Sequence, residues 1–137
     1  MKYIKSCGFI AYKSENGKNL YLIIKSLNGD VGFPKGHTEL GETELETAIR
    51  ELKEETGVEV RTIQGFKRKI EYILPNTADT VKQAVYFLGE CVSDVIVCQE
   101  SEVVEAKFVS YEEALSILSF DETKNILFDV KNFLNGK

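Results

Sequence analysis

The chain has 137 residues, 43% of them hydrophobic and 28% charged, with a formal net charge of −5. That suits one domain, 1–137, with its own core, and the acidic balance speaks against a broad nucleic-acid surface, so no stable nucleic-acid partner is expected. Cys7, Cys91 and Cys98 are odd in number and form no CxxC pair, which speaks against a disulfide framework or a zinc site. No long apolar run marks a leader or a membrane span, so the cytoplasm is the expected compartment.

In chain order, residues 3–12 and 20–26 predict strands joined by a turn at Glu15-Asn16-Gly17-Lys18. The run from Leu20 to Ile24 suits a strand buried on both faces. Residues 27–42, with Gly29, Gly32, Pro34, Gly36 and Gly41, have loop composition, and a loop that long hints at function. Residues 43–56 predict a helix: Thr43 and Glu46 match a capping box, and Gly57 is placed to end the helix in a left-handed conformation. Leu45, Ala48, Ile49 and Leu52 give it one apolar face. Residues 58–74 and 81–92 predict strands, with a turn over Pro75–Asp79. A strand at 103–109 follows, then a short helix at 111–118 capped by Ser110, and a last helix at 122–134 with Ile126, Val130, Phe133 and Leu134 on one face. Strands mixed irregularly with a few helices predict an α+β fold, a sheet between helices. Cys7 and Cys91 fall in strands, as small buried hydrophobes do.

The chemistry sits at 36–58. Glu51, Glu54 and Glu55 are spaced i, i+3, i+4, so their carboxylates share a helix face. Such carboxylates repel unless a cation sits among them, and an oxygen-only ligand set favours magnesium or manganese over zinc. Glu42 and Arg50 lie within reach if the preceding loop folds back, and the planar fork of Arg50 suits bridging carboxylates. Lys53 and Glu46 read as ordinary surface residues.

Gly36, Glu42, Arg50, Glu51, Leu52, Glu54, Glu55, Gly57 and Val58 fill every defined position of a pattern that resembles the Nudix box. Average residue usage puts a chance match on the order of 10⁻⁹ per starting point. The resemblance implies a mixed sheet between helices and attack of water on one phosphorus of a nucleoside diphosphate linked to a further group. It also implies that the Gly36 carbonyl and the carboxylates of Glu51, Glu54 and Glu55 hold magnesium. On that resemblance magnesium would neutralise charge on phosphate oxygens and acidify a bound water. The base in such enzymes varies; here Glu102, six residues before Phe108, is the first candidate and Glu105 the second.

Several flanking segments are similar to those of the animal-type diadenosine tetraphosphate hydrolases: Ser6-Cys7-Gly8, Gly32 to His37, Gly65 to Tyr72, and Lys82 to Phe87. That resemblance implies a bis(5′-nucleosyl)-tetraphosphatase giving ATP and AMP. Four phosphates need cations beyond the metal, and Lys35, His37, Lys67, Arg68, Lys69 and Lys82 are the candidates, with Lys67 and Lys69 on one strand face and Arg68 on the other. Tyr72 is the expected adenine-stacking residue. Where that group often has a second aromatic this chain has Ala106, and Tyr111 is the nearby substitute. The partner is then a small nucleotide, and the protein a monomer or homodimer. An RNA 5′-pyrophosphohydrolase, a nucleoside triphosphate pyrophosphatase and a diphosphoinositol polyphosphate hydrolase stay open as other uses of the same box. An inactive nucleotide-sensing module is the reading of a different class, against which the complete glutamate set speaks.

Overall fold

Strand β1 (Lys2–Glu15) sends side chains into two cores at once, Cys7, Phe9 and Ala11 on one face and Ile10 and Tyr12 on the other. A strand apolar on both faces is central, and the rest of the sheet is built on it. The computed structural model describes residues 2–73, 79–98 and 103–136, with the backbone alone for Lys2, Tyr72 and Ile73. The turn at Asn16-Gly17 leads into β2 (Lys18–Ser26), antiparallel to β1. Its residues Tyr21, Leu22, Ile23 and Ile24 are buried, as their apolar run predicts.

The segment read as loop holds two short strands, β3 (Val31–Gly32) on β2 and β4 (Lys35–His37) on β1. Two- and three-residue strands carry no periodicity, so the sequence pattern could not reveal them. In β4, Lys35, Gly36 and His37 stand opposite Gly8, Cys7 and Ser6. Gly8 permits this approach, since a Cβ there would strike the Pro34 carbonyl oxygen and the Lys35 side chain.

Helix α1 (Glu44–Thr56) begins at the capping box: the Thr43 side chain accepts from the Glu46 backbone N–H, and the Glu46 side chain accepts from that of Thr43. It ends at Gly57 with φ 76°. β5 (Glu59–Ile73) and β6 (Thr80–Ser93) pair antiparallel, and β6 lies parallel to β1. Apart from Asp79, the turn expected over Pro75–Asp79 lies outside the described residues. β7 (Val103–Val109) returns to pair with β2. Ser110 caps α2 (Tyr111–Ile117), and α3 (Asp121–Asn135) follows.

Among the described residues the strands form one mixed sheet in the order β3-β2-β1-β6-β5, with β4 on β1 and β7 on β2. Ala48 and Leu52 of α1 pack on Cys7, Phe9, Leu22 and Val85. Ala114 of α2 and Ile126, Leu127 and Val130 of α3 pack on the opposite face with Ile10, Tyr86 and Phe66. A sheet between helices is therefore observed, as predicted. Full burial of Leu52 contributes about 1.5–3 kcal/mol toward holding α1 on the sheet. Cys7 is buried, Cys91 half-buried and Cys98 exposed, all as free thiols. Among the described residues no helix is long and apolar enough to cross a membrane.

One expectation for α1 is corrected. Ile49, assigned to the apolar face, is 48% exposed, whereas Glu55 is only 8% exposed. Ile49 sits at the edge of the apolar arc, and the helix is rotated so that Thr47, Ala48, Leu52 and Glu55 face inward instead. The backbone N–H of Lys35 on β4 meets the Glu55 carboxylate, which compensates its burial.

At the far end of α1 the Thr56 carbonyl accepts from the Val97 N–H at 2.8 Å. A Cβ on Gly57 would lie 3.2 Å from the backbone N and O of Val97. Gly57→Ala is therefore strained twice, by its left-handed backbone and by this contact. Urea unfolding should show a loss of about 1–2 kcal/mol.

Candidate active site

Arg50 lies one turn before Glu54 and beside Glu51 on α1, and Glu42 lies in the turn that leads to the cap. The loop folds back so that the guanidinium meets all three carboxylates. Nε donates to Glu42 Oε2 at 2.6 Å, and Nη2 donates to Glu42 Oε1 and to the His37 carbonyl, both at 3.0 Å. Nη1 donates to Glu51 Oε2 at 2.9 Å and to Glu54 Oε1 at 2.8 Å. Fork-to-carboxylate contacts of this kind are charge-assisted and directional. Glu42 also accepts from the Glu39 backbone N–H and the Thr47 hydroxyl, each at 2.9 Å. Arg50 first, and then these donors, hold the Glu42 carboxyl down at about 2.

The three box glutamates differ in setting. A Cβ on Gly36 would collide with the Glu51 carboxylate, so that carboxylate lies directly against the β4 backbone. Glu55 is buried, with Oε1 accepting from the Lys35 N–H at 3.0 Å. The Glu54 side chain is 44% exposed. The donor set fits a hard divalent cation: carboxylate oxygens from one helix face, beside a glycine whose missing side chain leaves the backbone accessible. Among the described residues no three acidic, His or Cys side chains are already closed into a ligand set. Instead Arg50 Nη1 is shared by Glu51 and Glu54.

Lys35 and Lys82 come together. They belong to β4 and β6, which flank β1 at Gly8 and Ile4. Burial, and next the Lys82 charge, bring the Lys35 ammonium down to about 8, while Glu55 opposes the fall. The His37 side chain is exposed, and its carbonyl serves Arg50. The backbone of Tyr72 stands opposite Lys82, and its side chain lies outside the description. Glu102 also lies outside the described residues. Glu105 is exposed on β7 opposite Lys25.

The other expected cations go elsewhere. Lys67 reaches Glu44 on α1 at 2.7 Å and Arg68 reaches Asp129 on α3 at 3.3 Å, so strand alternation does separate them, and each is engaged in an ion pair. Lys69 is exposed. Ala106 is half-buried and packs against the core cluster that includes Ala48 and Leu52 of α1. Tyr111 does not take the place of a second adenine clamp beside Lys82: it lies by the Gly17 turn, with Lys131 Nζ 4.3 Å from its ring centre. Its neighbour Val109 is held opposite Tyr21, which pairs with Tyr12, whereas Lys82 stands opposite Ile4 of the same strand. Sequence reasoning also missed Glu44, which binds Lys5 and Lys67 together. An acidic residue in the first turn of a helix looks like ordinary dipole compensation.

The NUDIX domain family model matches residues 6–129. The chain belongs to the Nudix hydrolase family. This Nudix chain is 32% identical to the mouse (Mus musculus) asymmetrical bis(5′-nucleosyl)-tetraphosphatase, over 96% of this chain and 95% of that one. The Caenorhabditis elegans enzyme of the same name is 26% identical over 97% and 98%. Among solved structures, a binary complex of C. elegans Ap4A hydrolase superposes with a TM-score of 0.89 at 25% identity, covering 98% of this chain and 99% of that one.

The Glu42 contacts should make this Nudix fold acid-sensitive in a defined window. The folded-state pKa is depressed, so its stabilisation is present above the unfolded value, roughly 4.3, and is lost as pH falls through about 2. Glu42→Gln should lower the urea midpoint at pH 7, measured with a chelator present, and should flatten its decline between pH 5 and pH 2. An unchanged slope would show that Glu42 is not a source of that decline.

Proposed function

We propose that this Nudix hydrolase cleaves dinucleoside polyphosphates, with diadenosine tetraphosphate cut asymmetrically to ATP and AMP in the presence of magnesium or manganese. The observation that carries the reading is the half-buried Lys35–Lys82 pair, with Lys35 close enough to Glu55 to feel its charge. Two ammonium groups held that close repel, and burial adds to the cost. A chain of phosphates reaching past the reacting phosphorus relieves both. The likeness to asymmetrical tetraphosphatases runs along nearly the whole chain, which supports the same substrate class.

In this reading Glu51, Glu54, Glu55 and the Gly36 carbonyl hold the metal, which supplies charge neutralisation at phosphate oxygens and acidification of the attacking water. Arg50 keeps Glu51 and Glu54 oriented. Glu102 takes the proton as the water oxygen bonds to phosphorus and the bridging P–O bond breaks. Lys35, His37 and Lys82 bind the remaining phosphates, and Tyr72 stacks on one adenine.

The test is a side-by-side assay of diadenosine tetraphosphate, 5′-triphosphate RNA and single nucleoside triphosphates in water enriched in heavy oxygen. ATP and AMP should form, with label in only one of them, because one phosphorus is attacked. ADP as the sole product would overturn the assignment, and a strong preference for RNA would favour a 5′-end enzyme.

Lys82→Met addresses the carrying observation. A cation serving a remote phosphate contributes only when that phosphate exists. Catalytic efficiency on diadenosine tetraphosphate should fall roughly ten- to a hundredfold, with a short diphosphate ester nearly spared. Methionine keeps most of the stem's packing, so thermal unfolding should change little. An equal loss on both substrates would mean that Lys82 acts at the reacting phosphorus.

A further inference from the structure

Glu44 opens α1 and is not part of the glutamate cluster. Its two carboxylate oxygens go to different strands. Oε2 accepts from Lys5 of β1 at 2.9 Å, and Oε1 meets Lys67 of β5 at 2.7 Å. Those strands are not neighbours, since β6 runs between them. One carboxylate therefore ties the first turn of the helix across three strands. Lys67, then Lys5, hold the Glu44 carboxyl below its ordinary value, so the tie stays ionised at neutral pH.

The geometry of the tie matters more than its strength. Glu44 and Glu51 are seven residues apart, two helical turns, and so lie on the same side of α1. Lys5 and Cys7 are two residues apart on β1 and so lie on the same side of that strand. Gly36 stands opposite Cys7 in the β1–β4 ladder, and the Glu51 carboxylate rests against Gly36. Besides the packing of Ala48 and Leu52 on it, β1 thus holds the helix through Lys5 at its first turn and through β4 two turns later. The first contact anchors the start of α1. The second is where the Gly36 backbone and the Glu51 carboxylate face each other.

We infer that Glu44 is a positioning residue: by binding Lys5 and Lys67 it sets the gap between Gly36 and the carboxylate of Glu51, and so the metal affinity of the site. This rests on the metal role proposed above for those two residues. Glu44 itself touches neither metal nor substrate.

Electrostatics and positioning predict opposite signs for one substitution. Removing the positive charge of Lys5 or Lys67 should tighten cation binding if only the local field mattered. If the tie positions the helix, the same change should loosen binding. The readout is the free-Mn²⁺ signal in electron paramagnetic resonance, titrated against the full-length chain without substrate. Lys5→Met and Glu44→Gln should each weaken Mn²⁺ binding by about tenfold, the scale of losses when a supporting contact behind a metal ligand is removed. Lys107→Met, which breaks the comparably exposed Lys107–Glu113 pair remote from α1, should leave it unchanged. Exposed ion pairs add little stability, so all three should fold, and thermal unfolding checks this. If Lys5→Met is unfolded, Lys67→Met gives the same reading. Mn²⁺ binding in Lys5→Met as tight as wild type, or tighter, overturns the inference. No Mn²⁺ binding by the wild-type chain would instead overturn the metal reading beneath it, and the inference with it.

Discussion

Carboxylates gathered on one helix face repel each other before any cation arrives, and the Arg50 guanidinium is what lets them coexist. It is bonded to Glu42, Glu51 and Glu54 at once and also to the His37 carbonyl. The contact with Glu42 pulls the loop back over the helix, and the contact with His37 ties in the end of β4. A single planar cation thus gathers the loop, the helix and the strand. The network is also exchangeable in principle. Nη1 spans Glu51 and Glu54, and a divalent cation would compete for those same oxygens.

The second constraint is β1, to which the parts of the site are referred. β4 is laid on it at Ser6, Cys7 and Gly8, and β6 runs parallel to it from Lys2 to Tyr12. Lys35 and Lys82 therefore come from two strands laid on either side of β1, opposite Gly8 and Ile4, and their side chains meet. Neither belongs to the helix that carries the acidic cluster. The apolar side chains that β1 places on both faces hold the layers that keep this register, with α1 on one side and α2 and α3 on the other.

Much of this was legible in the sequence where local rules decide. The capping box at Thr43 and Glu46 and the left-handed Gly57 bounded α1 correctly because both are short-range devices. The reach of Arg50 to Glu51 and Glu54 follows from helical spacing. The rotation of α1 was not legible. Ile49 satisfies the apolar pattern as well as Leu45 does, and only packing against β1 and β4 turns Glu55 inward in its place. β3 and β4 were hidden because so few residues carry no period. The meeting of Lys35 with Lys82, and the engagement of Lys67 by Glu44, depend on pairings between strands far apart in sequence.

Lys35 faces two ways. Its backbone N–H holds Glu55, while its side chain stands beside Lys82. One residue therefore couples the acidic half of the site to the cationic half, and a shift of β4 would disturb both together. Such a strand is a poor place for substrate preference to drift or be redesigned. Lys82, on β6, is attached to only one half. On the substrate proposed above, a protein engineer retuning this scaffold for a shorter or longer phosphate chain would hold β4 constant and diversify β6 around that lysine.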